Sequence, residues 1–241
     1  MQGIQRFERK CLLSLAGYYR LKAALTVHLE ADYHSSRQSD GRYLVRSIYY
    51  DTRDLRSYYE KEDGNFGRIK LRLRAYTDAP AAWDPVSVEL KTKNGNVMTK
   101  YSTHVSYSDY RYFALRGHWP DTSDPVVTEF ERLRHVRALE PVVLVQYRRE
   151  GYRSRDRLPL RVTLDHGVLS ARARSLFPFG CILTPHRPRH VILEIKTAVR
   201  EPRWLTDLVL QHALKPVSNS KYVQGIEVIR PSMVTPRVAA P

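Results

Sequence analysis

Acidic residues are scarce in this chain. Asp and Glu number 25 against 40 Lys and Arg, a formal net charge of +15. That deficit implies an anionic partner, whether nucleic acid, an acidic membrane surface or phosphate-rich molecules and polymers. Cysteine is nearly absent, with Cys11 and Cys181 the whole complement. Their spacing fits no zinc motif and gives no disulfide framework, so a reducing, cytoplasmic setting is expected. No apolar run approaches the ~20 residues that span a bilayer, and no membrane insertion is expected. Glu8 and the Tyr18-Tyr19 pair suit a signal peptide poorly. A Gly-rich phosphate loop and a nucleophile elbow are both missing, which excludes two common catalytic devices. His186 and His190 stand four apart, but Pro188 between them argues against a helical metal pair. His104, His118, His135 and His166 read as surface or packing residues, and Trp83, Trp119 and Trp204 as packing anchors.

What the chain does have is 42% apolar residues, enough for an ordinary core. Period-2 patterning predicts strands at Ile4–Leu13, Tyr43–Asp51, Phe66–Tyr76, Val86–Lys93, Val97–Val105, Val142–Tyr152, Leu160–His166, Val168–Arg174 and Val191–Thr197. Lys93-Asn94-Gly95-Asn96 suits a hairpin turn, and Asp165-His166-Gly167 is a second candidate. Helices are expected at Leu15–Leu29, Ser106–Leu115 and Asp124–Leu139, with another opening at Glu201-Pro202-Arg203-Trp204. Ser14 and Ser106 look like helix caps. No repeat, low-complexity tract or internal linker interrupts the pattern, so residues 1–230 are expected to form one domain, followed by a flexible tail at 231–241.

The segment from Gly67 to Tyr76 is the most informative. Alternation puts Arg68, Lys70, Arg72 and Arg74 on one face and Ile69, Leu71, Leu73 and Ala75 on the other. Like charges so close are destabilising unless something negative lies against them. Two readings stand at this point: a solvated outer face, or a wall built to hold a polyanion. Other strands repeat the theme. Arg6, Glu8 and Lys10 share a face, as do Glu89 with Lys91, Tyr147 with Arg149, Arg161 with Thr163 and Asp165, and Glu194 with Lys196. An economical arrangement is an α+β fold with a closed antiparallel β-barrel, a charged lumen and helices packed on the outside. A flat sheet with one solvated face is the alternative.

These fragments, in this order, resemble a VTC domain, the polyphosphate polymerase branch of the triphosphate tunnel metalloenzymes in the CYTH-like superfamily. The likeness runs through Arg6-Phe7-Glu8-Arg9-Lys10, Ser47-Ile48-Tyr49-Tyr50-Asp51-Thr52, Gly67 to Tyr76 and Val88-Glu89-Leu90-Lys91. It continues in Tyr147-Arg148-Arg149-Glu150, Arg161-Val162-Thr163-Leu164-Asp165, Leu193-Glu194-Ile195-Lys196 and Ser220-Lys221-Tyr222. The resemblance implies a tunnel-forming antiparallel barrel that binds ATP and inorganic polyphosphate. It implies phosphate-binding cations at Lys10, Arg72, Arg74, Lys91, Lys100, Arg149, Arg161 and Lys221. The implied metal ligand is Glu194, with Glu8 and Glu89 as weaker candidates. Lys70, Lys196 and Arg68 fit the inward face by parity. The implied cofactor is a divalent ion, Mn²⁺ or Mg²⁺ by ligand hardness. Cys11 stands where the family usually has an aromatic.

The implied reaction moves the γ-phosphoryl group of ATP onto a growing polyphosphate chain and releases ADP. The hydrolytic relatives carry Glu-x-Glu-x-Lys on the first strand, and here Arg6 occupies the first of those positions. Water benefits from a carboxylate that orients or deprotonates it, whereas a terminal phosphate oxygen is already anionic. The substitution therefore favours transfer over hydrolysis. Two alternatives stand beside this reading: a tripolyphosphatase or nucleoside triphosphatase on the same fold, and a non-catalytic domain that binds polyphosphate or nucleic acid. Nucleic acid is the less expected partner, because most of the 16 tyrosines sit where strand packing would use them rather than as stacking platforms.

Overall fold

The computed structural model describes residues 7–62, 67–94, 97–198 and 201–231. Arg6, the Gly95-Asn96 part of the expected hairpin turn and residues 232–241 of the expected tail lie outside the described residues, as does the Arg68 side chain. In chain order the elements are β1 (Phe7–Ser14), α1 (Leu15–His28), β2 (Leu29–Ala31), α2 (Tyr33–Ser36), β3 (Tyr43–Asp51), α3 (Arg56–Glu62), β4 (Gly67–Ala75), β5 (Pro85–Asn94) and β6 (Val97–Ser106). There follow α4 (Tyr107–Arg116), α5 (Pro125–Val136), β7 (Glu140–Ser154), β8 (Leu160–Ala171), β9 (Thr184–Pro185), β10 (His190–Thr197), α6 (Arg203–Gln211) and α7 (Lys221–Ile229). No helix among the described residues is long and apolar enough to cross a membrane.

Strand neighbours follow the order β1-β10-β8-β7-β3-β4-β5-β6, with β2 beside β7 and β9 beside β8. Every ladder whose register is described is antiparallel. The α+β class holds. Closure into a barrel does not appear among the described pairings, since β1 and β6 end the path without pairing each other. The hairpin expected at Asp165-His166-Gly167 is absent: β8 runs straight through it, with Gly167 at φ 55° inside the strand. Only glycine accepts that conformation without strain, so the turn signal marked a local irregularity instead.

The chain divides into two compact units. The first comprises Met1–Leu44, Tyr147–Val168 and Arg187–Ser220; its apolar core lies on one side of β1, β10 and β8. Cys11, Leu13, Val162, Leu164, Leu193 and Ile195 alternate onto that side, where Tyr18, Leu21 and Leu25 of α1 and Leu205 and Leu208 of α6 cover them. Ser14 caps α1 by accepting from the Gly17 amide at 3.1 Å. The second unit comprises Val45–Gln146, Leu169–His186 and Lys221–Pro241. Here Ile48, Leu71, Leu73, Val86, Val88 and Leu90 pack under Tyr110 and Phe113 of α4 and Val127, Phe130 and Leu133 of α5. Ser106 and Asp109 form a capping box on α4, and Asp124 caps α5 with Pro125 in its first turn. Trp119 stacks on Phe113 in this core, and Trp204 stacks on His28 in the first unit. Trp83 departs from expectation: it is 80% exposed and anchors nothing.

One buried carboxylate organises the first unit beneath α1. Glu150 accepts from Tyr18 at 2.6 Å, Tyr152 at 2.7 Å and Arg42 at 2.9 Å, with Lys22 at 2.9 Å and His166 Nε2 at 3.0 Å. Burial opposes its charge, but these donors hold the carboxyl well below the usual range. Removing it would leave several buried donors without an acceptor. Glu150→Ala is expected to destabilise the protein by about 3–5 kcal/mol, measured by denaturant unfolding.

Candidate functional site

In the second unit the strand registers stack polar side chains into rows across β3, β4, β5 and β6. Ser47, Arg74, Ser87 and His104 form one row, and Tyr49, Arg72, Glu89 and Ser102 the next. Lys70, Lys91 and Lys100 form a third. Strands sit about 4.8 Å apart and successive rows about 6.7 Å apart, so these cations cannot avoid one another.

Glu89 is the carboxylate on which the cations of these rows converge. It lies 2.5 Å from Arg72 Nη2, 3.3 Å from Lys100 Nζ and 3.6 Å from Arg74 Nη1, and accepts from Arg72 Nε at 2.7 Å. Burial would raise its pKa, yet Arg72, Arg74 and Lys100 together hold it at about 2. Arg74 also donates to Ser47 at 3.1 Å. Tyr49 accepts from Arg72 Nη1 at 3.1 Å. Burial pushes the Tyr49 phenol up, but Arg72, Arg74 and Lys221 outweigh it and the net shift is downward. Lys100 is pushed down by burial and then by Arg72 and Arg74, despite Glu89. The downward shift of the Tyr49 phenol follows from these neighbouring cations, whereas that of Lys100 follows first from burial.

Helix α7 lies over the same polar face. The Tyr222 ring sits 5.5 Å from that of Tyr49, Lys70 Nζ is 5.1 Å above the Tyr222 ring, and the Tyr222 hydroxyl donates a short bond to Asp51. Gly225 permits the close approach, because a Cβ there would meet Ser170 Oγ at 2.9 Å and Val143 at 3.1 Å. This helix differs from α4 and α5, which cover the apolar side.

The first unit carries a different pattern. Glu8, Lys196 and Arg161 form one row across β1, β10 and β8, and Lys10, Glu194 and Thr163 the adjacent one. Glu8 pairs with Lys10 and Glu194 with Lys196, each at 2.8 Å. Lys10 also donates to the Asn219 carbonyl at 3.1 Å. Arg149 grips Asp165 through two bonds of 2.6 and 2.9 Å and lies 3.8 Å from Glu194. Burial opposes the Arg149 charge, but Asp165, Tyr147 and Glu194 raise its pKa well above the ordinary value. Arg161, half exposed, donates to Asp32 at 3.1 Å and Tyr43 at 3.3 Å. Asp32 approaches so closely over Gly151 that any Cβ there would collide with its carboxylate. Lys10, Arg149, Arg161 and Lys196 are thus each matched by a carboxylate from Glu8, Asp165, Asp32 or Glu194.

Among the described residues no group of three or more His, Cys, Asp or Glu side chains is placed to hold one metal ion. Glu8 and Glu194 occupy diagonal positions on neighbouring strands, and their hard oxygens suit Mg²⁺ or Mn²⁺. Glu89 fits a metal less well, because three cations already converge on it. Of the residues singled out from the sequence, the structure gathers Lys70, Arg72, Arg74, Lys91, Lys100 and Glu89 in the second unit, where Lys221 acts on Tyr49. It gathers Lys10, Glu8, Glu194, Lys196, Arg149 and Arg161 in the first. The Arg68 backbone pairs with Lys93. Tyr49, Tyr222, Asp32 and Tyr43 were not singled out, although Tyr49 shares the parity of Ser47 and could have been found from it.

The VTC domain sequence model matches residues 5–230. No curated protein matches by sequence. A solved structure from Bacillus halodurans, described as a candidate adenylate cyclase, superposes with a TM-score of 0.56 at 15% identity, covering 90% of this chain and 94% of that one. A Hippeastrum protein, described as a candidate adenylyl cyclase with dominant triphosphatase activity, gives 0.50 at 14% identity, covering 96% and 98%. Both similarities concern the fold.

Glu89 generates a pH prediction. Its pKa in the folded protein lies below the ordinary 4.5, so its stabilisation is complete above that value and disappears as pH falls towards about 2. The contribution is on the order of 3 kcal/mol. The stability difference between wild type and Glu89→Gln should be largest near neutrality and shrink on acidification below about pH 5, as read by urea unfolding across pH.

Proposed function

The chain belongs to the VTC domain family, and on that premise we propose that it is a metal-dependent polyphosphate polymerase acting on ATP. The observation that carries this reading is the second unit's polar face, where Lys70, Arg72, Arg74, Lys91 and Lys100 stand together around Glu89. Such a face fits a linear polyanion. The planar guanidinium forks of Arg72 and Arg74 match non-bridging phosphate oxygens, while the lysines and Lys221 supply point charges. In the first unit Lys10, Arg149 and Arg161 take the same role, with Lys196 beside them. Arg68 extends the cation series by parity. The closed tunnel implied by the family is part of this proposal.

Phosphoryl transfer asks the protein chiefly for positioning and charge neutralisation. Glu194, with Glu8, would hold the divalent ion, and Glu89 would hold Arg72 and Arg74 in place. When bound, that ion neutralises charge on the phosphate oxygens during transfer. The attacking terminal phosphate oxygen is already anionic, so no residue has to serve as its base. The second reading is a triphosphatase, favoured by Glu8, a partly exposed carboxylate able to orient water.

Incubation of the purified protein with ATP and Mn²⁺ is expected to yield ADP and long-chain polyphosphate. Orthophosphate without polymer would establish the hydrolase instead, and binding of tripolyphosphate without turnover would establish a binding domain. Arg72→Ala and Arg149→Ala are each expected to lower turnover on the order of 100-fold in protein that remains folded by circular dichroism.

A further inference from the structure

The two most exposed large apolar side chains among the described residues stand three positions apart on one loop: Phe179 at 105% and Ile182 at 87%. The loop joins β8 to β9 and is closed at its base by the Leu169–Pro185 and Ser170–Thr184 pairs. Its inner side chains are anchored. Leu176 is fully buried, and Phe177, Cys181 and Leu183 pack against the second unit's core. The Leu176 amide donates to the Tyr110 hydroxyl at 2.7 Å, and the Phe177 ring packs edge-on against Tyr107 and Tyr110. The outward residues are therefore held at the tip by a fixed frame, with Gly180 at φ 62° making the turn between them. On this otherwise anchored loop Phe179 and Ile182 face water. Exposed apolar groups held this way mark an interaction surface.

The charge around the tip selects the partner. From Leu169 to His186, the stretch of the second unit that carries this loop, the chain has no acidic residue but two arginines, Arg172 and Arg174. Arg172 and Arg174 are exposed at the start of the loop, alternating with buried Ala171 and Ala173. A loop that carries exposed apolar side chains together with exposed arginines matches the boundary between anionic lipid headgroups and acyl chains, where two weak signals combine into useful affinity. We infer that this loop docks the protein onto anionic membrane surfaces, with Phe179 and Ile182 inserted and Arg172 and Arg174 at the headgroups. This inference is independent of the polymerase reading.

The test is co-sedimentation with vesicles of phosphatidylcholine alone or mixed with phosphatidylserine. Wild type is expected to pellet with the mixed vesicles and not with the neutral ones. Phe179→Ser/Ile182→Ser keeps the net charge of +15 and is expected to lose binding by about tenfold or more, with unchanged thermal unfolding. Arg172→Glu/Arg174→Glu should weaken binding to the mixed vesicles likewise. In Phe179→Trp the new indole should be quenched by brominated acyl chains only in the mixed vesicles. Unaltered binding by the serine variant would reduce the effect to bulk charge and overturn the inference. So would no vesicle binding at all, or a serine variant that alters oligomeric state in solution, which would assign the tip to a second copy of the chain.

Discussion

Lys70, Lys91 and Lys100 lie side by side on three adjacent strands, an arrangement that sheet energetics oppose. What makes it tolerable is the other side of the same strands. Leu71, Leu73, Val88 and Leu90 are fully or almost fully buried beneath α4 and α5, and that burial stabilises the strands more than the cations disturb them. Glu89 then ties the arginines and Lys100 together from a buried position, so the excess positive charge is held in a fixed geometry. Arg72 and Arg74 also lower the pKa of the buried Tyr49 phenol against the opposing effect of its burial.

The two units treat their charges differently. On the first unit's polar face Lys10, Arg149, Arg161 and Lys196 each lie against a carboxylate, from Glu8, Asp165, Asp32 and Glu194 respectively. On the second unit's face Arg72, Arg74 and Lys100 instead converge on the one carboxylate of Glu89. Glu150 and Glu89 illustrate the contrast, since both are buried carboxylates surrounded by donors. Glu150 faces the helix-covered side and is enclosed by two tyrosines, an arginine, a lysine and a histidine, an arrangement that serves architecture. Glu89 faces the polar side among side chains that retain exposure, as Lys100 does.

Much of this was legible in the sequence because its signals are local. Alternation placed Arg72 and Arg74 opposite Leu71 and Leu73, and the same parity placed Glu194 with Lys196. Ser14 and Ser106 announced two helices through backbone capping within a single turn. What escaped depends on contacts distant along the chain. Helix α7 is short, and its place over Tyr49 follows from Tyr222 reaching Asp51 and from Gly225 allowing close packing. Asp32 is equally silent in sequence, since its pairing with Arg161 requires Gly151 to clear a path on β7. Trp83 shows the converse error: a large aromatic suggests a core anchor, yet here it faces solvent. Gly167 suggested a chain reversal where the strand simply continues.

The crowded lysine row also bears on how the protein responds to its surroundings. Any small anion that settles among Lys70, Lys91 and Lys100 relieves repulsion present only when the sheet is assembled, so mass action couples anion concentration to the folding equilibrium. Melting temperature is therefore expected to depend on the buffer's anion as well as on the polypeptide, a dependence that thermal unfolding in phosphate and in chloride at equal ionic strength would read.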